Sequence, residues 1–173
     1  MPVPQRISWS VDQLDVQPTD RFLEIGCGRG VAVELICQRL AGGHVLALDR
    51  SATAIEAAAQ RNAPCAAVGS ASFEATSLED AHLGEAQFDK VFAINVNLFW
   101  TRAASPELAA VKRALVPSGG LYLCYEPPSA NRAVTIAERV VPRLDAAGFA
   151  TQVVTGSTSK RASLLALISH VVT

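Results

Sequence analysis

Three glycines, Gly26, Gly28 and Gly30, follow the run Phe22-Leu23-Glu24-Ile25 and precede Val31, Leu35, Ile36 and Leu40, which recur at helical spacing. Glycines at such a strand-to-helix turn can take positive φ and let a ligand approach the main chain, while the following helix offers unpaired amides. In an open parallel sheet this turn lies beyond the carboxyl end of the first strand, where strand order reverses and ligands bind. Asp49 follows the second apolar run, His44 to Leu48, nineteen positions beyond Gly30. A carboxylate there can accept hydrogen bonds from both hydroxyls of a ribose. Taken singly, the glycines could serve tight packing and Asp49 could cap a helix; together in one βαβ unit they favour a nucleotide-like ligand.

The spacing narrows the choice of ligand. A dinucleotide fingerprint would need glycine at 31, which is Val31, and no G-K-[ST] follows to make a phosphate loop. Instead the loop reads G-x-G-x-G, with Glu24 two residues before it. The four cysteines, Cys27, Cys37, Cys65 and Cys124, and the histidines His44, His82 and His170 form no metal-binding spacing. Buried reduced thiols are the expectation for all four cysteines, and no metal is expected.

The elements that must hold these residues read as strands alternating with helices, the pattern of a mainly parallel sheet with helices on both faces. A short helix is expected over Ser10 to Val16 with Ser10 as its cap, then strands at 21–25, 44–48, about 72–75, 88–94 and 121–125. Helices are expected from Gly30 to Gly42, from Ser51 to about Gln60, after Ser105-Pro106-Glu107 with Ser105 as cap, and from about Asn131 to Ala147 with a kink or break at Pro142. Residues 76–87 read as an irregular connection, and Ser118-Gly119-Gly120 as a turn into the fifth strand. Two closing strands, 150–154 and 163–168, are separated by so short a polar link that an antiparallel hairpin is favoured.

On these residues the chain resembles the class I S-adenosylmethionine-dependent methyltransferases. Glu24-x-Gly26-x-Gly28-x-Gly30 is similar to their first motif and Asp49 to their ribose-binding acid. Phe88-Asp89-Lys90-Val91 resembles their fourth motif, and Leu115-Val116-Pro117-Ser118-Gly119-Gly120-Leu121 their turn into the fifth strand, with Ser118 where glycine is usual. The resemblance spans roughly residues 10 to 168. It implies a doubly wound α/β sheet of seven strands in the order 3-2-1-4-5-7-6. S-adenosylmethionine is the implied donor, held by Glu24, Gly26, Cys27, Gly28, Gly30, Asp49, Arg50, Ser77, Leu78 and Asn95. Ser77 and Leu78 stand in for the adenine-binding acid that many members carry. Val96, Asn97, Phe99 and Trp100 are expected beside the reaction centre or acceptor, although aromatic core packing is an equal reading for Phe99 and Trp100. Methyl transfer from a sulfonium needs no fixed catalytic residue; His82, Tyr125 and Glu126 are candidates for a base, each with an ordinary structural role as the competing reading. A catalytically silent cofactor-binding protein and a nicotinamide-dependent oxidoreductase are the competing functions.

Composition sets the remaining bounds. The chain has 173 residues, half of them hydrophobic, and a net charge of −1, which suits one globular domain and provides no basic field for a nucleic-acid backbone. Nucleic acid is therefore not expected as a partner, and a small-molecule acceptor is. No apolar run approaches the ~18 residues of a spanning helix, so no membrane association is expected. The opening residues resemble no signal peptide, which makes the cytoplasm the expected compartment. Loops are short, so a second copy of the chain, as a homo-oligomer, or the acceptor itself could cover the site.

Overall fold

In the computed structural model, which describes residues 2–172, seven strands form one sheet. They are β1 (Arg21–Ile25), β2 (His44–Asp49), β3 (Ala71–Ala75), β4 (Phe88–Ile94), β5 (Leu115–Tyr125), β6 (Phe149–Ser157) and β7 (Ser163–Val171). Their order is β3-β2-β1-β4-β5-β7-β6, parallel from β3 through β5, with β7 antiparallel to both β5 and β6. This is the expected topology. β1 and β4 are central and buried on both faces, which is why they read as nearly continuous apolar runs.

Helices α1 (Gln5–Gln13), α2 (Val31–Cys37) and α3 (Ala52–Arg61) pack with Phe22, Val45 and Phe92 on one face. Helices α6 (Ser105–Ala114) and α7 (Ala130–Ala146) pack with Leu23, Val91 and Leu123 on the other. Two short helices, α4 (Ala63–Ala67) and α5 (Leu98–Thr101), complete the order.

Several local expectations need correction. α1 starts at Gln5 after Pro4, and Ser10 lies inside it, buried, with its hydroxyl donating to the Arg6 carbonyl at 2.6 Å. Ile7, Val11 and Leu14 form the stripe that fixes this helix, and the cap signal at Ser10 gives way to their packing. α2 stops at Cys37, short of Gly42. Ser105 is the first residue of α6 and makes no cap; Ala104, left-handed at φ 52°, precedes it. β5 begins at Leu115, so Ser118-Gly119-Gly120 is no turn before the strand. Phe88 pairs with Leu115 and Lys90 with Gly120, and the surplus residues of β5 bulge out, where Pro117 has no ladder bond to break. Pro142 lies inside α7 without ending it. The closing hairpin extends beyond both expected strands because its register continues unbroken from Phe149↔Val171 to Ser157↔Ser163.

The expectation of four reduced thiols is also wrong. Cys37 and Cys65, 28 residues apart, form a disulfide with Cα atoms 6.2 Å apart that ties α2 to α4; Cys27 and Cys124 are free and buried. No sequence spacing announces such a pair, because what permits it is the meeting of two helices. A cross-link of this span stabilises by about 3–4 kcal/mol through the unfolded ensemble and is kept in oxidising surroundings but not in a reducing cytosol. Among the described residues no helix is long and apolar enough to cross a membrane, and no cluster of metal-ligating side chains occurs.

Candidate functional site

The glycine loop leaves β1 and folds against the end of β2. Gly26, Gly28 and Gly30 take φ of 71°, 53° and 72°, the left-handed region that a Cβ disfavours. The Cys27 amide donates to the Leu48 carbonyl at 2.9 Å and the Gly28 amide to Asp49 Oδ2 at 2.8 Å. Asp49 Oδ1 accepts from the Ser51 amide at 2.9 Å. Asp49 therefore shapes the loop. Its carboxylate can still accept further bonds, since two oxygens offer about four lone-pair sites.

A crevice of about 560 Å³ opens at the carboxyl ends of β1 to β4. Gly26, Asp49 and Arg50 line one side, Thr76 to Glu79 after β3 a second, and Asn95 to Leu98 with Thr101 and Arg102 a third. Of the ten expected site residues, Gly26, Asp49, Arg50, Ser77, Leu78 and Asn95 line it. Glu24, Cys27, Gly28 and Gly30 do not line it; Glu24 and Cys27 are buried. Ser77 already uses its hydroxyl within its own turn, donating to Asp80 Oδ2 at 2.8 Å and accepting from the Asp80 amide at 3.2 Å, and Leu78 is buried as apolar floor. Asn95 is left-handed at φ 55°, and its Oδ1 accepts from the Glu126 amide at 2.7 Å, which locks the end of β4 to the end of β5. An asparagine tolerates that conformation better than most residues.

Other expectations separate. Val96 and Asn97 line the crevice, whereas Phe99 is 1% exposed and belongs to the core. Trp100 donates from its indole nitrogen to Asn97 Oδ1 at 3.1 Å and carries the Arg132 guanidinium 4.7 Å above its ring, outside the lining. None of His82, Tyr125 and Glu126 lines the crevice. Tyr125 is buried, its hydroxyl has no partner among the described residues, and burial pushes its pKa further up. Thr76 and Glu79, from the same loop as Ser77 and Leu78, also line it, whereas Leu98, Thr101 and Arg102 carry no motif and only the loops' convergence in space reveals them.

Glu24 lies beneath the loop at 3% exposure, with Oε2 unpartnered among the described residues. Burial, and secondarily the nearby Asp49 charge, push its pKa up from 4.5 to about 8. The same burial raises the Cys27 thiol, which is therefore no nucleophile. Because folded Glu24 holds a proton that the unfolded chain releases above pH ~4.5, its contribution favours folding less as pH rises toward 8. Its share of the slope should approach ~1.4 kcal/mol per pH unit within that window. Urea unfolding at pH 5.5 and 7.5 should show this loss in the wild type and a flatter profile in Glu24→Gln.

Comparison with known proteins agrees with this geometry. Residues 22–119 match a family model described as a methyltransferase domain. The chain is 25% identical over 145 residues to the uncharacterized methyltransferase YdaC of Bacillus subtilis, covering 82% of this chain and 77% of that one. Its fold superposes on a SAM-dependent methyltransferase from Aquifex aeolicus with a TM-score of 0.76 at 14% identity, covering 94% and 88% of the two chains. It also superposes on the 1,6-didemethyltoxoflavin-N1-methyltransferase of Burkholderia thailandensis, solved with bound 1,6-didemethyltoxoflavin and S-adenosylhomocysteine, with a TM-score of 0.74 at 16% identity, covering 98% and 79%. The family match over more than half the chain and the motif-bearing loop with its partner carboxylate converge: the protein belongs to the methyltransferase-domain family and is a methyltransferase.

Proposed function

We propose that the crevice holds S-adenosylmethionine, with ribose at Asp49, the adenine end between Arg50 and Ser77-Leu78, and the methionine end toward Gly26, Gly28 and Asn95, and that the methyl group passes to a small-molecule acceptor. The observation that carries this reading is the pairing of an open glycine loop with Asp49. A Cβ added at Gly28 would meet nothing within 4 Å, so the main chain there faces unfilled space. The volume falls within the roughly 300–1,000 Å³ usual for small-ligand sites. The unpartnered Glu24 oxygen beneath the loop is the kind of group that a cationic ligand would satisfy.

A bound donor supplies a methyl carbon already made electrophilic by its sulfonium. The chain's task is to orient donor and acceptor in line and to exclude water, which can account for much of the acceleration. Asn95, pinned by the Glu126 amide, fixes the floor near the transfer point, and Gly26 lets the main chain approach. A small acceptor is supported by the absence of an excess of basic residues and by the small substrate bound in the Burkholderia neighbour.

Calorimetry with S-adenosylmethionine and with NAD tests the ligand, and transfer of labelled methyl into a panel of small acceptors tests the reaction. Binding of NAD in preference to S-adenosylmethionine would sink the proposal. Asp49→Ala should weaken the donor by about 1–3 kcal/mol, roughly fivefold to 150-fold, through lost ribose contacts and a loosened Gly28 amide. The same titration reads this out, and unchanged affinity would remove Asp49 from the site.

A further inference from the structure

The crevice is bounded on one side by Glu79, from the connection after β3, and on another by Arg102, at the end of α5; the two side chains meet as an ion pair. Arg102 also reaches inward to Glu107 Oε1 at 2.7 Å. The two ends differ in environment. Glu79 is 55% exposed, whereas the Glu107 side chain is 4% exposed and its second oxygen has no partner among the described residues. The backbone is tied as well: Arg143, from α7, donates from Nη1 to the carbonyls of Phe99 at 3.0 Å and Arg102 at 2.6 Å.

An exposed ion pair is weak and screened by salt, whereas stranding a buried carboxylate is costly. The network should therefore part first at Glu79 while Arg102 stays anchored on Glu107 and α5 stays anchored on Arg143. We propose that Arg102 is a positioning residue that joins two walls of the donor crevice, and that its contact with Glu79 is a latch that releases when donor enters and demethylated product leaves. This rests on the reading of the crevice as the donor site.

The test is the dissociation rate of S-adenosylhomocysteine, followed by stopped-flow tryptophan fluorescence, because Trp100 lies on the latched segment. Glu79→Gln should release product at least fivefold faster than wild type at low salt, with an unchanged thermal midpoint. Raising salt should speed release from wild type and leave the variant unaffected. Arg102→Lys, which keeps a cation for both carboxylates, should fall between them. Amide hydrogen exchange over residues 98–102 in the ligand-free chain should quicken in Glu79→Gln. If wild type binds S-adenosylhomocysteine but Glu79→Gln matches its release rate and salt response, the latch is overturned and the donor site stands. If wild type binds neither donor nor product, the functional reading falls and the latch with it.

Discussion

Gly28→Val is expected to abolish donor binding, by more than a hundredfold, in a chain that still folds. The Cβ of residue 28 would point into space that no protein atom occupies within 4 Å. The added isopropyl group therefore enters open space and not the core, and under the proposed function it takes volume from the donor. Its cost to the fold is that of a β-branched residue at φ 53°, about 1–2 kcal/mol, which is a minority of ordinary domain stability. Calorimetry on the variant beside a urea curve separates the two effects. Lost affinity with a modestly shifted midpoint is the expected pair of results, and retained affinity would mean that the ligand does not approach this loop.

Two residues on, Gly30→Val should instead damage the fold, by on the order of 5 kcal/mol. There a Cβ would stand 2.6 Å from Asn62 Nδ2 and 2.9 Å from the Ala58 side chain, with the Ala58 backbone at 3.1 Å. Asn62 is buried, and its amide nitrogen donates to the carbonyls of Gly30 and Ala58 at 3.0 and 2.9 Å. A valine has to push α3 away, break that bridge and hold φ at 72°; overpacking, an unsatisfied buried amide and left-handed strain each cost about 1–3 kcal/mol. Loss of the cooperative unfolding transition, or a strongly lowered midpoint, is the readout. A Gly30→Val chain as stable as wild type would show that α3 does not seal the loop. Both glycines belong to one motif, yet one faces open space and the other faces Asn62.

That contrast marks the limit of what the linear pattern carries. Strand identity and the loop–carboxylate pair were readable because each rests on local signals: buried strands at 21–25 and 88–94 are nearly continuous apolar runs, and positive φ favours glycine; strand order came only with the family resemblance. Misreadings arose where a local signal was overruled by packing, as at Ser10, whose capping potential was lost to the Ile7-Val11-Leu14 stripe, and at Ser118-Gly119-Gly120, which lies inside β5 instead of turning into it.

By itself the sequence determined a parallel α/β sheet, a glycine loop at the end of β1 and an acid at the end of β2, because those follow from hydrophobic period, chain reversal and residue chemistry within one βαβ unit. Only the tertiary structure decided that Cys37 meets Cys65, that Asp49 binds the Gly28 amide, that Phe99 turns into the core and that Glu79 reaches Arg102 across the crevice. Each of these joins segments separated along the chain, and such contacts are set by how helices and loops pack on the sheet, a quantity that neighbouring residues do not encode.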